Sequence, residues 1–126
     1  MSKAGKWIGP DGRTEARWRG LGCADGFSLY EVRCSNTDSR WRTARPTPTF
    51  AVQLSRSGGY LRRVNGRERF ADATSALFVG PSDDVLAAHP LSCGDSYTTI
   101  EIDAELLAER PDAERWLDGP GWDGTV

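Results

Sequence analysis

Apolar and polar residues alternate in short runs from about residue 27 onward, and turn-forming residues separate these runs. In TFAVQLSR, Phe50, Val52 and Leu54 fall on one face of an extended chain, and the residues between them fall on the other. This alternation is typical of a half-buried β-strand. The pair Asn65-Gly66, directly after YLRRV, predicts a hairpin turn whose two central residues take positive φ angles.

Similar runs predict about seven short strands, at the spacing found in β-sandwiches and barrels. They are GFSLYEVRC, TFAVQLSR, YLRRV, RERF, TSALFVG, VLAAHP and SYTTIEID. The SGG and NG turns predict that the second, third and fourth of these form an antiparallel meander. After Asp103 the period changes, and AELLAE and PDAERWL are expected as two short helices.

The chain divides into three parts on this interpretation. Residues 1–25 lack sustained periodicity and are expected to be an N-terminal arm, residues 26–103 form the β domain, and residues 104–126 supply the helices and a tail. A chain of 126 residues supports one hydrophobic core. The fold class is therefore all-β with C-terminal helices.

Charge is distributed unevenly although the net charge is only −2. The first 70 residues contain 14 basic and 6 acidic side chains, and the remainder contain 2 and 12. In one compact domain the two sets neutralise each other, so the basic half does not by itself predict a nucleic-acid surface. The basic start has no apolar run behind it, which predicts neither a signal peptide nor a membrane span and favours a cytoplasmic location.

The stretch AAHPLSCGDSYTTIEI contains the only histidine, His89, together with Cys93 and Asp95. Cys34, His89 and Cys93 would meet if the first and a late strand were neighbours, yet recognisable zinc sites carry paired ligands. Because no such pair occurs, no metal and no cofactor are predicted. The three cysteines, Cys23, Cys34 and Cys93, form no CxxC pair and are expected to be reduced.

The motifs of nucleophilic hydrolases, zinc proteases and nucleotide-binding loops are absent from the sequence. We therefore predict no enzymatic activity. The alternative is a small metal-free enzyme, an isomerase or lyase that works through His89 and a carboxylate such as Glu101. A further alternative is a domain that binds another protein through its arm and helices.

Several of these segments together resemble the amino-terminal sensor domain of AraC-type transcriptional regulators. The similarity covers about residues 26–107. The matching positions are Gly59-Tyr60, Gly66-Arg67, Asp72, His89-Pro90 and Gly94-Asp95. The resemblance implies a cupin-like jelly-roll β-barrel that binds a small-molecule effector or mediates homodimerisation. In that family two helix-turn-helix motifs follow the barrel, and the short segment after the strands here leads us to expect no direct DNA binding by this chain.

Inward-facing aromatic residues with polar tips are the expected lining of such a barrel. The candidates for a ligand pocket are Tyr30, Trp41, Tyr60, His89 and Tyr97. The helices offer an apolar set that either packs on the barrel or pairs with a second chain, namely Leu106, Leu107, Trp116 and Leu117. Arg62 and Arg63 are adjacent on one strand and point to opposite faces, so one of them is expected to face inward and to form a salt bridge or bind an anion.

Overall fold

The computed structural model describes residues 3–44, 49–91 and 94–125. Within these ranges the chain forms mainly antiparallel strands and two helices of one to two turns. The strands are β1 (Ala4–Ile8), β2 (Thr14–Ala24), β3 (Phe27–Cys34), β4 (Arg42–Thr43), β5 (Phe50–Gly58), β6 (Tyr60–Val64), β7 (Arg67–Ala71), β8 (Ser75–Val79), β9 (Val85–Ala88), β10 (Asp95–Ile102) and β11 (Trp122–Thr125). The helices are α1 (Ala104–Ala108) and α2 (Ala113–Leu117), and no helix in these ranges has the length and apolar character needed to cross a bilayer.

The strands divide into two antiparallel sheets. The larger sheet has seven strands in the order β1-β2-β3-β10-β5-β8-β11, and the smaller has four in the order β4-β9-β6-β7. The core lies between them, where Val64 and Val85 of the smaller sheet pack with Leu77 and Val79 of the larger one. This arrangement confirms the all-β prediction.

The N-terminal segment differs from the predicted arm. It forms β1 and β2, which pair with each other and extend the larger sheet from β3. The inward side of β2 carries Ala16, Trp18 and Gly20 between arginines, so too few large apolar residues alternate there to reveal a strand in the sequence.

The predicted meander is wrong at its first turn. β5 and β6 do not pair, because the chain crosses from the larger sheet to the smaller one at Gly58 and Gly59. Gly58 has φ of +67°, and a side chain there would collide with the backbone of Gly94. The second turn is confirmed, since β6 and β7 pair and Asn65 and Gly66 have φ of 49° and 84°.

A buried ion pair joins the two sheets. Arg62, on β6, is 1% exposed, and it binds Asp123 on β11 with Nε–Oδ1 and Nε–Oδ2 distances of 3.1 Å. Arg62 also donates to the Tyr60 hydroxyl at 3.2 Å and to the Ala76 carbonyl at 3.3 Å. The inward arginine of the Arg62-Arg63 pair is thus satisfied by a salt bridge, and β11 is a strand where a tail was expected.

We expect Asp123→Ala to lower the free energy of unfolding by about 3–5 kcal/mol, because Arg62 would be left as an uncompensated buried charge. Urea denaturation measures the loss. Glu68→Ala is the matched control, since Glu68 pairs with Arg63 at 3.0 Å and is 51% exposed. Loss of such an exposed pair costs less than about 1 kcal/mol, and equal losses in the two variants would contradict the assigned role of Asp123.

Candidate functional site

A cavity of about 440 Å³ lies between the two sheets. Its apolar wall comes from both sheets and consists of Ala16, Leu77, Val79, Val85 and Ala87. Its polar and aromatic groups include Trp7, Glu15, Cys34, Asn36, Arg42, Gln53, Tyr60, His89, Asp95 and Tyr97. Because Trp7, Ile8 and Pro10 line it as well, the N-terminal hairpin forms part of the cavity wall.

Strand register places Cys34 beside Asp95. The two residues are direct partners in the antiparallel pairing of β3 with β10. Residues paired in this way project to the same face of a sheet, with Cβ atoms about 4.5–5.5 Å apart. The thiol and the carboxyl group therefore enter the cavity together from the larger sheet.

His89 approaches the same point from the smaller sheet, where it directly follows β9. Its Nε2 atom lies 3.5 Å from Cys34 Sγ and 3.6 Å from Asp95 Oδ1. The imidazole stacks on the Tyr60 ring, with centroids 5.4 Å apart and planes 15° apart. Since Tyr60 also accepts a hydrogen bond from Arg62, the buried ion pair supports the face of His89.

Burial controls the ionisation of all three groups. It raises the pKa of Asp95 to about 6, although the Cys34 thiol opposes this shift. Burial, followed by the charge of Asp95, raises the pKa of the Cys34 thiol to about 12. Burial also lowers the pKa of His89, so the site at neutral pH holds a thiol, a neutral imidazole and a mostly ionised carboxylate.

Asp95 is the poorly compensated member of the cluster. Its side chain is 5% exposed, and its Oδ1 atom has no hydrogen-bond partner within the described part of the chain. Arg42, which also lines the cavity, is already paired with Glu15 at 2.8 Å and with Asp38 at 3.6 Å. Within the described part of the chain, the Cys34 thiol favours the ionised form of Asp95, but no arginine or lysine side chain pairs with its charge.

This geometry differs from that of a catalytic relay. In a nucleophile–histidine–acid triad the nucleophile and the carboxylate contact different nitrogens of the imidazole. Here both Cys34 Sγ and Asp95 Oδ1 lie near Nε2, and the thiol pKa is raised where a nucleophile needs it lowered. The three donor atoms instead lie within 4.8 Å of one another around one point.

Three of the predicted pocket residues, Tyr60, His89 and Tyr97, line the cavity. Tyr30 packs edge-on against Trp18, with ring centroids 5.7 Å apart. It lies on β3 about 13 Å along the strand from Cys34, which puts it away from the cavity. Trp41 lies under the Arg63 guanidinium, 4.2 Å from the ring centroid. These two aromatic residues are not part of the cavity lining.

The pair required by the alternative enzyme hypothesis does not form. Glu101 lies on β10, about 20 Å along the strand from Asp95, so it does not share the cavity with His89. Cys93, the third thiol of the predicted cluster, lies outside the described residues. Asp95 lies near Cys34 and His89, and the pairing of β3 with β10 that brings it there has no signal in the sequence.

The helical residues proposed for a dimer interface are used partly within the chain. Leu107 is 7% exposed, and Leu106 contacts Gly26 at the start of the β domain. Trp116 packs edge-on against Phe78 of β8, with ring centroids 5.1 Å apart. Leu117 is half-buried. Pairing of two chains through these helices stays a prediction.

We expect Asp95→Asn to stabilise the metal-free protein at neutral pH by about 1–3 kcal/mol, because it removes a buried charge that no arginine or lysine of the described residues neutralises. Chemical denaturation in the presence of a chelator measures the change. Asp25→Asn, in the exposed turn between β2 and β3, is the control and should change stability by less than about 0.5 kcal/mol. A less stable Asp95→Asn variant would show that the carboxylate is compensated in the native state.

No family model matches the sequence, and no curated protein sequence matches it either. The structure is similar to those of cupins. The Cupin_2 domain of an XRE family transcriptional regulator from Enterobacter cloacae is 9% identical, with a TM-score of 0.55 over 68% of this chain and 94% of that chain. An RmlC-like cupin from Shewanella frigidimarina is 16% identical, with a TM-score of 0.57 over 70% of this chain and 76% of that chain.

FeII HppE is 8% identical and has a TM-score of 0.62 over 80% of this chain and 56% of that chain. At sequence identities of 8% to 16%, these structural similarities show a shared fold and nothing more. Together with the two antiparallel sheets, they confirm the predicted cupin-like jelly roll: this chain has the cupin fold.

Proposed function

We propose that this chain is the effector-binding domain of a transcriptional regulator of the AraC type, and that it binds a small molecule without converting it. The observation that carries the proposal is the cavity between the sheets. Its volume of about 440 Å³ falls within the range of about 300–1,000 Å³ that is usual for small-molecule sites.

The lining supports a binding role. An apolar wall of valine, leucine and alanine faces polar and aromatic groups, a combination that gives a ligand site both affinity and orientation. Gln53 from β5 and Asn36 from the loop after β3 offer amides at separate points of the wall. A compact ligand with an apolar body and polar groups at its edge fits this lining best.

The arrangement of reactive groups favours binding over catalysis. The Cys34 thiol is held protonated by burial, and the carboxylate does not orient the imidazole for proton relay. The AraC-type assignment rests on the sequence resemblance over residues 26–107 and gains support from the Enterobacter cloacae neighbour, which is a cupin domain of a regulator of another class. Homodimerisation belongs to the proposal as well.

Native mass spectrometry of the purified protein, followed by thermal unfolding with a panel of small metabolites, tests the binding role. We expect a dimer and at least one compound that raises the unfolding temperature. A ligand present at about 100 times its Kd adds about 2.7 kcal/mol to the free energy of unfolding. Ala87→Trp, which fills the cavity, should abolish this effect.

Ala108→Trp is the matched control, because Ala108 is exposed on α1 and outside the cavity lining, and this variant should retain the effect. Circular dichroism confirms that both variants are folded. If every compound leaves the unfolding temperature unchanged, or if Ala87→Trp responds like the parent protein, the cavity is not an effector site. If mass spectrometry finds the bound compound converted to a product, the protein is an enzyme.

A further inference from the structure

We propose that Cys34, His89 and Asp95 form a binding site for a divalent transition metal ion of the zinc type. Each residue offers one donor atom to a common point, and these three atoms lie within 4.8 Å of one another. This site goes beyond the proposed effector role and does not depend on it. Ion binding and effector binding are measured separately.

The distances agree with tetrahedral coordination. Zinc binds sulfur at about 2.3 Å and nitrogen or oxygen at about 2.0–2.2 Å, which places neighbouring ligand atoms of a tetrahedron about 3.3–3.6 Å apart. The observed separations are 3.5 Å from Cys34 Sγ to His89 Nε2 and 3.6 Å from His89 Nε2 to Asp95 Oδ1. The third separation, between Cys34 Sγ and the Asp95 carboxylate, is at most 4.8 Å, so small side-chain rotations bring all three donors to the ion.

Asp95 supplies an independent reason for a cation at this point. Its buried Oδ1 atom accepts no hydrogen bond from the described residues, and no arginine or lysine of those residues pairs with its carboxylate. A contact between thiol and imidazole explains Cys34 and His89 but supplies no cation for Asp95. A divalent ion bound to a thiolate, a carboxylate and a neutral imidazole gives a site with no net charge, which removes the penalty of burying Asp95.

The donor set selects the kind of ion. Thiolate sulfur and imidazole nitrogen are ligands of zinc and of neighbouring transition metals, whereas magnesium and calcium prefer oxygen alone. The three ligands found among the described residues fill three of the four positions of a tetrahedron, as in zinc sites that bind water or a further ligand. Because all three residues line the cavity, we infer that the fourth position faces it. Binding converts the Cys34 thiol to a metal-bound thiolate and releases its proton to solvent.

Titration of chelator-treated, reduced protein with Co²⁺ alone tests the site. We expect one equivalent to bind and to produce a thiolate-to-cobalt charge-transfer band, which Zn²⁺ then displaces. Cys34→Ser should abolish the band. His89→Gln and Asp95→Asn should each weaken binding by more than about 100-fold, the upper range for losing a group that only orients a metal ligand.

Cys23→Ser is the matched control, because Cys23 is exposed on β2, and this variant should keep the band and the affinity. As a second measurement that needs no variant at the site, X-ray absorption of the zinc-loaded protein should show one sulfur ligand at about 2.3 Å beside nitrogen and oxygen ligands at about 2.0–2.2 Å. The proposal is overturned if no stoichiometric binding occurs, if the band survives Cys34→Ser or disappears only with Cys93→Ser, or if X-ray absorption shows no sulfur ligand.

Discussion

The fold depends on the buried ion pair between Arg62 and Asp123. These residues belong to different sheets, and the 1% exposure of Arg62 means that its charge has to be compensated inside the protein. Asp123 provides that compensation only when residues near the C-terminal end pair with β8 as strand β11. The same guanidinium holds the Tyr60 hydroxyl, and Tyr60 in turn stacks on His89. One electrostatic requirement therefore fixes the last strand, the spacing of the sheets and one wall of the cavity.

The cluster at the cavity follows from two further geometric facts. Pairing of β3 with β10 puts Cys34 beside Asp95, and the crossing of the chain at Gly58 brings the smaller sheet over them. His89 then enters from the opposite sheet at the end of β9. His89 and Asp95 lie in one stretch of the sequence, but Cys34 and His89 are 55 residues apart, so the three residues do not form a local sequence motif. The site is thus a product of the tertiary structure.

Because the site forms only in the tertiary structure, the sequence predicts some parts of the molecule and not others. The strands from β5 to β10 were predictable because alternation, the Asn65-Gly66 turn and Pro90 are local signals. β1, β2 and β11 escaped prediction because glycine, arginine and tryptophan obscure their alternation. The stretch around His89 was recognised as chemically interesting, yet Asp95 was not assigned as a partner of Cys34. Strand pairing over such separations is decided by the sheet as a whole and leaves no trace in residue spacing.

The interior of a jelly roll with a cavity has to be packed well enough to be stable and open enough to admit a ligand. The apolar cluster around Leu77 is small among the described residues, and the interior also contains the Arg62 ion pair and the cavity. Asp95 adds a buried carboxylate that weakens the native state as long as nothing pairs with it. Groups that destabilise a fold in this way are concentrated at functional sites, where a bound partner offsets their unfavourable energy.

Because Cys34 and Asp95 come from one sheet and His89 from the other, occupation of this point ties the two sheets together. Binding in the cavity is thereby coupled to the rigidity of the whole sandwich, which is the property that the proposed sensing role requires.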